Sequence, residues 1–187
     1  MSPQIKNSLL TRSINNFLSN SKIEQKKPIS GYIKNQSEYK KWYLGYQKMS
    51  ECGCELISVY NVLRALGKTT KLSVLALEFE LLRIVMGFGF LGTNPAMLYK
   101  VFDNKKIRYV KTYSLNSLNK QIKNNSIGIV SCWNENFKGL HTFMVKYSSS
   151  DKGYFSYNGY NDKNKYSTLG KMLGKRIFIV GYWFPKG

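Results

Sequence analysis

A chain of 187 residues with 29 Lys and Arg against 10 Asp and Glu carries a formal net charge of +19, and its length suits one domain with a core of its own. Its hydrophobic content of 43% and aromatic content of 14% exclude a disordered polyelectrolyte. Three cysteines, Cys52, Cys54 and Cys132, are too few for a disulfide framework, and the one histidine, His141, lies too far along the chain from the Cys52/Cys54 pair for zinc spacing. Neither a metal nor a cofactor is expected.

Residues 3–19 place Ile5, Leu9, Ile14, Phe17 and Leu18 near one side of a helix, with Pro3 acceptable in its first turn. The basic residues among them make this an amphipathic extension over 1–31, read as docking on the body of the protein or partly disordered in preference to lying on a membrane surface. Asn20 to Gln36 is polar, contains Lys26-Lys27-Pro28, and reads as a linker or surface loop. The folded domain is expected to span 32–187. No apolar run is long enough for a transmembrane segment, and the N-terminus lacks the apolar core of a signal peptide. The expected location is the cytoplasm, or outside the cell by export without a recognisable signal.

Tyr39, Trp42, Tyr43 and Tyr46 form an aromatic cluster whose use is core packing rather than base stacking. Leu56, Val59, Tyr60, Leu63 and Leu66 then recur at helical spacing, ending at Gly67. Leu72 to Met86 is apolar nearly all round, as a buried helix is. Gly87 to Gly92 reads as a loop; without a following Lys-Ser/Thr or a preceding strand it is a turn rather than a phosphate cradle. Asn94-Pro95 starts a helix through Asp103, and Ser114 to Asn124 forms another. Four β-branched and aromatic runs follow, 127–133, 142–147, 154–157 and 176–183. Helices first and an antiparallel sheet afterwards predict an α+β fold.

The chemistry gathers around Gln47-Lys-Met-Ser-Glu-Cys52-Gly53-Cys54-Glu55. A cysteine at the mouth of a helix meets the positive end of the helix dipole and the unpaired N–H groups of the first turn, which lower a thiol pKa. A nucleophilic cysteine also needs a base, and the base needs a group that holds its ring in the productive tautomer. His141, at the start of a predicted strand, is the one histidine available, and Asn158 closes the next strand seventeen residues later. Adjacent antiparallel strands bring the two to one sheet edge.

This order, a cysteine at a helix start, a Gly-x-His-x-Phe-x-Val strand, then Asn at the end of the next strand, resembles the papain-like cysteine peptidases. Within them it is most similar to the bacteriocin-processing (double-glycine leader) peptidases, over roughly Gln47 to Trp183. The resemblance implies a helical half holding the nucleophile packed on a C-terminal antiparallel sheet. It also implies a Cys-His-Asn triad that cleaves a peptide or other amide bond of a peptide or protein substrate through a thioester. Gln47 is the oxyanion-hole candidate that it implies, although Gln47 precedes Cys52 by five residues and Cys54 by seven where the family has six. Counted back from Gly67, Cys54 takes the nucleophile position; Cys52, which begins a Cys-Gly pair, is the alternative. Asp162 is the alternative orienter, and Asn61 is assigned a structural hydrogen bond inside the helix packing. Two other readings compete: a catalytically inactive papain-like binding protein, and a basic module for nucleic acid or an anionic envelope polymer. Nucleic acid is the less favoured partner, because the lysines are scattered and no nucleic-acid signature accompanies them.

Overall fold

The computed structural model describes residues 3–87, 92–125, 127–135, 139–161 and 164–185. It is an α+β fold. The first half holds α1 (Pro3–Lys26), the short hairpin β1 (Tyr43–Leu44) and β2 (Gln47–Lys48), then α2 (Met49–Cys52), α3 (Cys54–Ala65), α4 (Leu72–Leu81) and α5 (Tyr99–Asn104). The second half holds β3 (Val110–Thr112), α6 (Leu115–Asn125), β4 (Ile127–Trp133), β5 (Leu140–Ser148), β6 (Gly153–Tyr157), α7 (Leu169–Leu173) and β7 (Ile177–Trp183). The five longer-range strands form one antiparallel sheet in the order β3-β7-β4-β5-β6.

Helices cover both faces of this sheet, which is why β4 and β5 read as continuous apolar runs rather than as an alternation. Ile129 of β4 and Met144 of β5 join the cluster built on α3, whereas Val130, Cys132, Phe143 and Val145 join Leu118 and Ile122 of α6 and Leu169 and Leu173 of α7. Glycines let α6 lie close. A Cβ at Gly181 would stand 2.3 Å from Leu118, and one at Gly128 would stand 2.4 Å from Ile122.

The central helix α3 is buried continuously from Cys54 to Leu63, more completely than an amphipathic stripe implies, because the sheet and α4 enclose it together. Gly67, at φ +70°, terminates it, and the Lys68 N–H returns to the Leu63 carbonyl at 2.8 Å. Asn61 does form the interior bond expected of it: its amide donates to the Ile33 carbonyl at 2.8 Å and its oxygen accepts the Ile33 N–H at 2.8 Å.

Several boundaries differ from the sequence reading. The apolar run 72–86 is helical only to Leu81; Arg83 at φ +55° breaks it, and Val85 continues as an isolated bridge to Thr93. Residues 88–91 of the expected glycine loop lie outside the described residues. Asn94 caps as expected, accepting the Ala96 N–H at 3.0 Å, but first opens the 3-10 turn Pro95–Met97, with α5 after it.

Helix α1 departs most. It runs to Lys26, well into the stretch read as a linker, and it docks through polar residues. Ser13, Asn16, Asn20 and Glu24 are buried, whereas Leu10, Ile14 and Leu18 are 49%, 44% and 51% exposed. The Asn20 amide donates to the Tyr43 carbonyl at 2.8 Å and its oxygen accepts the Tyr43 N–H at 3.0 Å. The Asn16 amide donates to the Gly45 carbonyl at 2.8 Å and to Glu80 Oε1 at 3.0 Å. No helix among the described residues is long and apolar enough to cross a membrane.

Candidate functional site

The short α2 ends at Cys52, Gly53 intervenes, and Cys54 is the first residue of α3. Glycine is needed at this junction, since a Cβ on Gly53 would lie 2.5 Å from the Met49 carbonyl oxygen. The two cysteines consequently face different surroundings. The Cys52 thiol donates to the Lys48 carbonyl at 3.4 Å, lies 3.7 Å from that of Leu44, and belongs to the apolar core. Burial and the nearby Glu55 and Glu51 carboxylates push its pKa up to about 12.

Cys54 sits where the helix meets the sheet. Its thiol donates to Glu55 Oε2 at 2.9 Å, and the nearby main-chain N–H groups of Thr142 and Glu55 favour the thiolate. Its carbonyl accepts the Ser58 hydroxyl at 2.7 Å, and that hydroxyl lies 2.9 Å from the Thr142 carbonyl. The expectation of a thiol depressed by the helix mouth is corrected here. Burial first, then the Glu55 carboxylate, raise the Cys54 pKa well above the ordinary thiol value, and the two N–H groups oppose this only in part. Desolvating the anion beside a carboxylate outweighs the half-charge of a helix end.

Glu55 is the residue that the sequence reading passed over. It is 1% exposed, and burial raises its carboxyl pKa against the hydrogen bonds that favour the ionised form. Its partners come from three parts of the fold: the Cys54 thiol, the Thr93 hydroxyl beside the Val85 bridge, and the Thr142 hydroxyl of β5 at 3.1 Å. The Thr142 hydroxyl also lies 2.9 Å from that of Ser131 on β4. A glutamate in the middle of an otherwise buried helical face, next to the cysteine, was the available signal.

His141 lies one residue from Thr142, so the strand that bonds Ser58 and Glu55 of α3 also carries the imidazole, on its other side. Its Nε2 is 2.6 Å from the main-chain carbonyl of Asn158. A carbonyl only accepts, so Nε2 carries the hydrogen, and in the neutral ring Nδ1 is the basic nitrogen. Alternation along β5 puts the His141 ring on the side of Phe143 and Tyr160, with centroid distances of 5.8 and 5.0 Å, and the Thr142 side chain on the side of Glu55. Tyr160 forms the rim over His141; its hydroxyl bonds Asn134 and lies 3.6 Å from the Cys132 sulfur, and the Arg176 guanidinium stacks 3.6 Å from its ring centre.

Asn158 stands beside the histidine as expected, and its main-chain oxygen makes the 2.6 Å contact with the ring. Its carboxamide oxygen accepts the Gln36 N–H at 2.8 Å, and its amide donates to Gln36 Oε1 at 3.3 Å. Gln36 in turn donates to the Ser50 carbonyl in α2 at 2.9 Å. A glutamine read as the end of a linker thus ties the turn after β6 to the helix that leads into Cys54. Asn158 holds φ +63°, a left-handed conformation that Asn tolerates through local hydrogen bonding and that other L-residues resist. Asn158→Gly keeps this conformation while losing the carboxamide; Asn158→Ala loses both. The Ala variant is expected to be less stable than the Gly variant by about 1 kcal/mol, read from denaturation midpoints, and equal midpoints would show that the turn is not strained.

Gln47, the oxyanion candidate, lies on β2 and pairs with Leu44. Among the described residues no hydrogen bond joins it to Cys54, His141 or Asn158. Asp162, the alternative orienter, lies outside the described residues. Among the described residues there is no group of three or more His, Cys, Asp or Glu able to hold a metal ion. No protein-family model, no curated protein and no solved structure matches this chain.

Proposed function

We propose that this chain is a papain-like cysteine hydrolase that cleaves a peptide or related amide bond, with Cys54 as nucleophile, His141 as base and the Asn158 carbonyl as the group that orients the ring. The observation that carries the reading is the 2.6 Å contact between His141 Nε2 and the Asn158 carbonyl. It leaves Nδ1 as the basic nitrogen, on the strand that at Thr142 bonds Ser58 and Glu55 of the Cys54 helix. The likeness of the Cys-His-Asn order to the double-glycine leader peptidases supports the same reading.

In the resting arrangement the thiol is protonated and turned onto Glu55. At rest the His141 ring faces Phe143 and Tyr160, on the other side of β5 from Glu55. Turnover therefore requires the ring to turn about the start of β5 as Sγ leaves Glu55, and Sγ then passes its proton to Nδ1. The thiolate then attacks the substrate carbonyl carbon, and the oxyanion develops at the mouth of α3, where the Cys54 N–H is one donor and the Gln47 side chain is proposed as another. Collapse expels the amine with the proton from His141, leaving a thioester. Water, deprotonated by His141, attacks the thioester and releases the acid, returning the thiol.

Alkylation by iodoacetamide, read residue by residue by mass spectrometry, tests the assignment. Cys54 is expected to label faster than Cys52 or Cys132 in the folded protein. Cys54→Ala removes that label, Cys52→Ala leaves it, and His141→Ala slows it about 10²-fold, as loss of a general base does. If His141→Ala labels at the wild-type rate, or Cys54 labels no faster than Cys132, the catalytic reading falls. The 6% exposure of Cys54 then favours a papain-like protein that binds without cleaving.

A further inference from the structure

The docking of α1 leaves an apolar surface that neither the fold nor the proposed chemistry uses. Leu10, Ile14 and Leu18 succeed one another at four-residue spacing and so share one side of α1, each close to half exposed. α4 runs antiparallel to α1, since Glu24 meets Leu72 and Ser73 whereas Asn16 meets Glu80. On α4, Val74 and Leu81 are 42% and 54% exposed, and their seven-residue spacing puts them on one side of that helix. Leu18 and Val74 line the same groove, of about 840 Å³. The two exposed rows therefore lie on one side of the helix pair and make one aliphatic face.

The charge around this face is one-sided. Arg64, Lys68 and Lys71 line the groove that Leu18 and Val74 open into, and all three are exposed. The acidic residues of the two helices are committed elsewhere: Glu24 to the start of α4, Glu78 to Lys105 and Asn104, and Glu80 to Asn16 and Gly45. The exposed rows are aliphatic, and the rings that line the groove, Phe17, Tyr32 and Tyr60, are half-buried or buried. Bases therefore meet no exposed ring to stack on, which sets nucleic acid aside. A second copy would bring another +19 to a face already fringed with cations.

We propose that the α1/α4 face seats this protein on an anionic lipid bilayer. The Leu and Ile side chains enter the boundary between headgroups and acyl chains, and the cations at the groove engage lipid phosphates. The protein lies on the bilayer and does not span it.

Sedimentation with vesicles of phosphatidylcholine, with or without an equimolar share of phosphatidylglycerol, tests this on the full chain. The wild type is expected to sediment with the phosphatidylglycerol vesicles and not with phosphatidylcholine alone. A triple variant, Leu10→Gln, Ile14→Gln and Leu18→Gln, is expected to lower the partition coefficient at least about tenfold, through the lost burial of three aliphatic side chains. The residues that dock α1 are untouched in this variant, and an unchanged circular dichroism spectrum confirms the fold. Lys68→Glu with Lys71→Glu is expected to weaken binding as well. Three results would overturn the proposal: no wild-type binding to the anionic vesicles; equal binding by the wild type and the triple variant, which would mean charge alone is responsible; or a wild-type dimer in light scattering that the triple variant disperses, which would make the face a contact between copies.

Discussion

Glu55→Gln is expected to speed the alkylation of Cys54 at neutral pH. Two causes raise the thiol pKa, burial and the Glu55 carboxylate, and the substitution removes the second while leaving the first. A thiol beside a neutral amide loses its proton at lower pH than one beside a carboxylate, because the thiolate no longer faces a like charge. The sign follows: the wild-type rate is still rising at pH 9, and the variant curve lies to the left of it. Each unit of displacement multiplies the thiolate fraction at pH 7 by about ten. Glutamine nearly preserves the shape, and its carboxamide oxygen still accepts from the Cys54 thiol or one of the hydroxyls of Thr93 and Thr142. The rate of iodoacetamide incorporation at Cys54 against pH, for wild type and variant, is the measurement. Superimposed curves would mean that Glu55 bears no charge beside the thiol, and this account of the closed resting state would fail.

The same residue shows where reading the sequence succeeds and where it stops. Cys54 at a helix mouth and His141 and Asn158 on neighbouring strand ends were legible because each rests on local pattern: helical spacing up to Gly67, alternation in the strands, turn residues between them. The α+β order was legible for the same reason. What Cys54 meets once folded was not. Its pKa is set by Glu55 and by the depth of burial, and burial depends on how α3 packs against β5, which is a tertiary fact. Gln36 was hidden differently. It lies 122 residues from Asn158 in sequence and in a polar stretch that looks like a linker, where nothing local marks a buried bridge. The strand β3 and the helix α7 were missed because three and five residues carry too little periodicity to register.

Helix α1 was misjudged for a more general reason, and Glu24→Ala exposes it. The substitution is expected to destabilise the protein by about 3 kcal/mol or more, from the loss of charge-assisted hydrogen bonds to buried donors. The Glu24 carboxylate accepts the Leu72 N–H at 2.8 Å, the Ser73 N–H at 3.1 Å and the Ser73 hydroxyl at 2.5 Å. These N–H groups begin α4, whose own N-cap residue, Lys71, supplies no side-chain bond. One helix thus caps another, and the carboxylate sits at the positive end of the α4 dipole. Hydrophobic periodicity assigns the buried side of a helix to its apolar residues, yet here Asn16, Asn20 and Glu24 are buried because each finds a backbone or side-chain partner in the body of the fold. Glu24→Gln keeps one acceptor oxygen and is expected to fall between the wild type and Glu24→Ala in denaturation midpoint. Hydrogen exchange along α1 is expected to rise with the loss, since Asn16 and Asn20 are then the side chains whose hydrogen bonds tie the helix to the β1/β2 hairpin and Glu80. A Glu24→Ala protein within about 0.5 kcal/mol of wild type, the range of ordinary surface changes, would show that polar docking does not hold α1 in place. The exposed Leu10, Ile14 and Leu18 would then have no fixed helix to stand on, and the membrane-facing surface would lose its scaffold along with the cap.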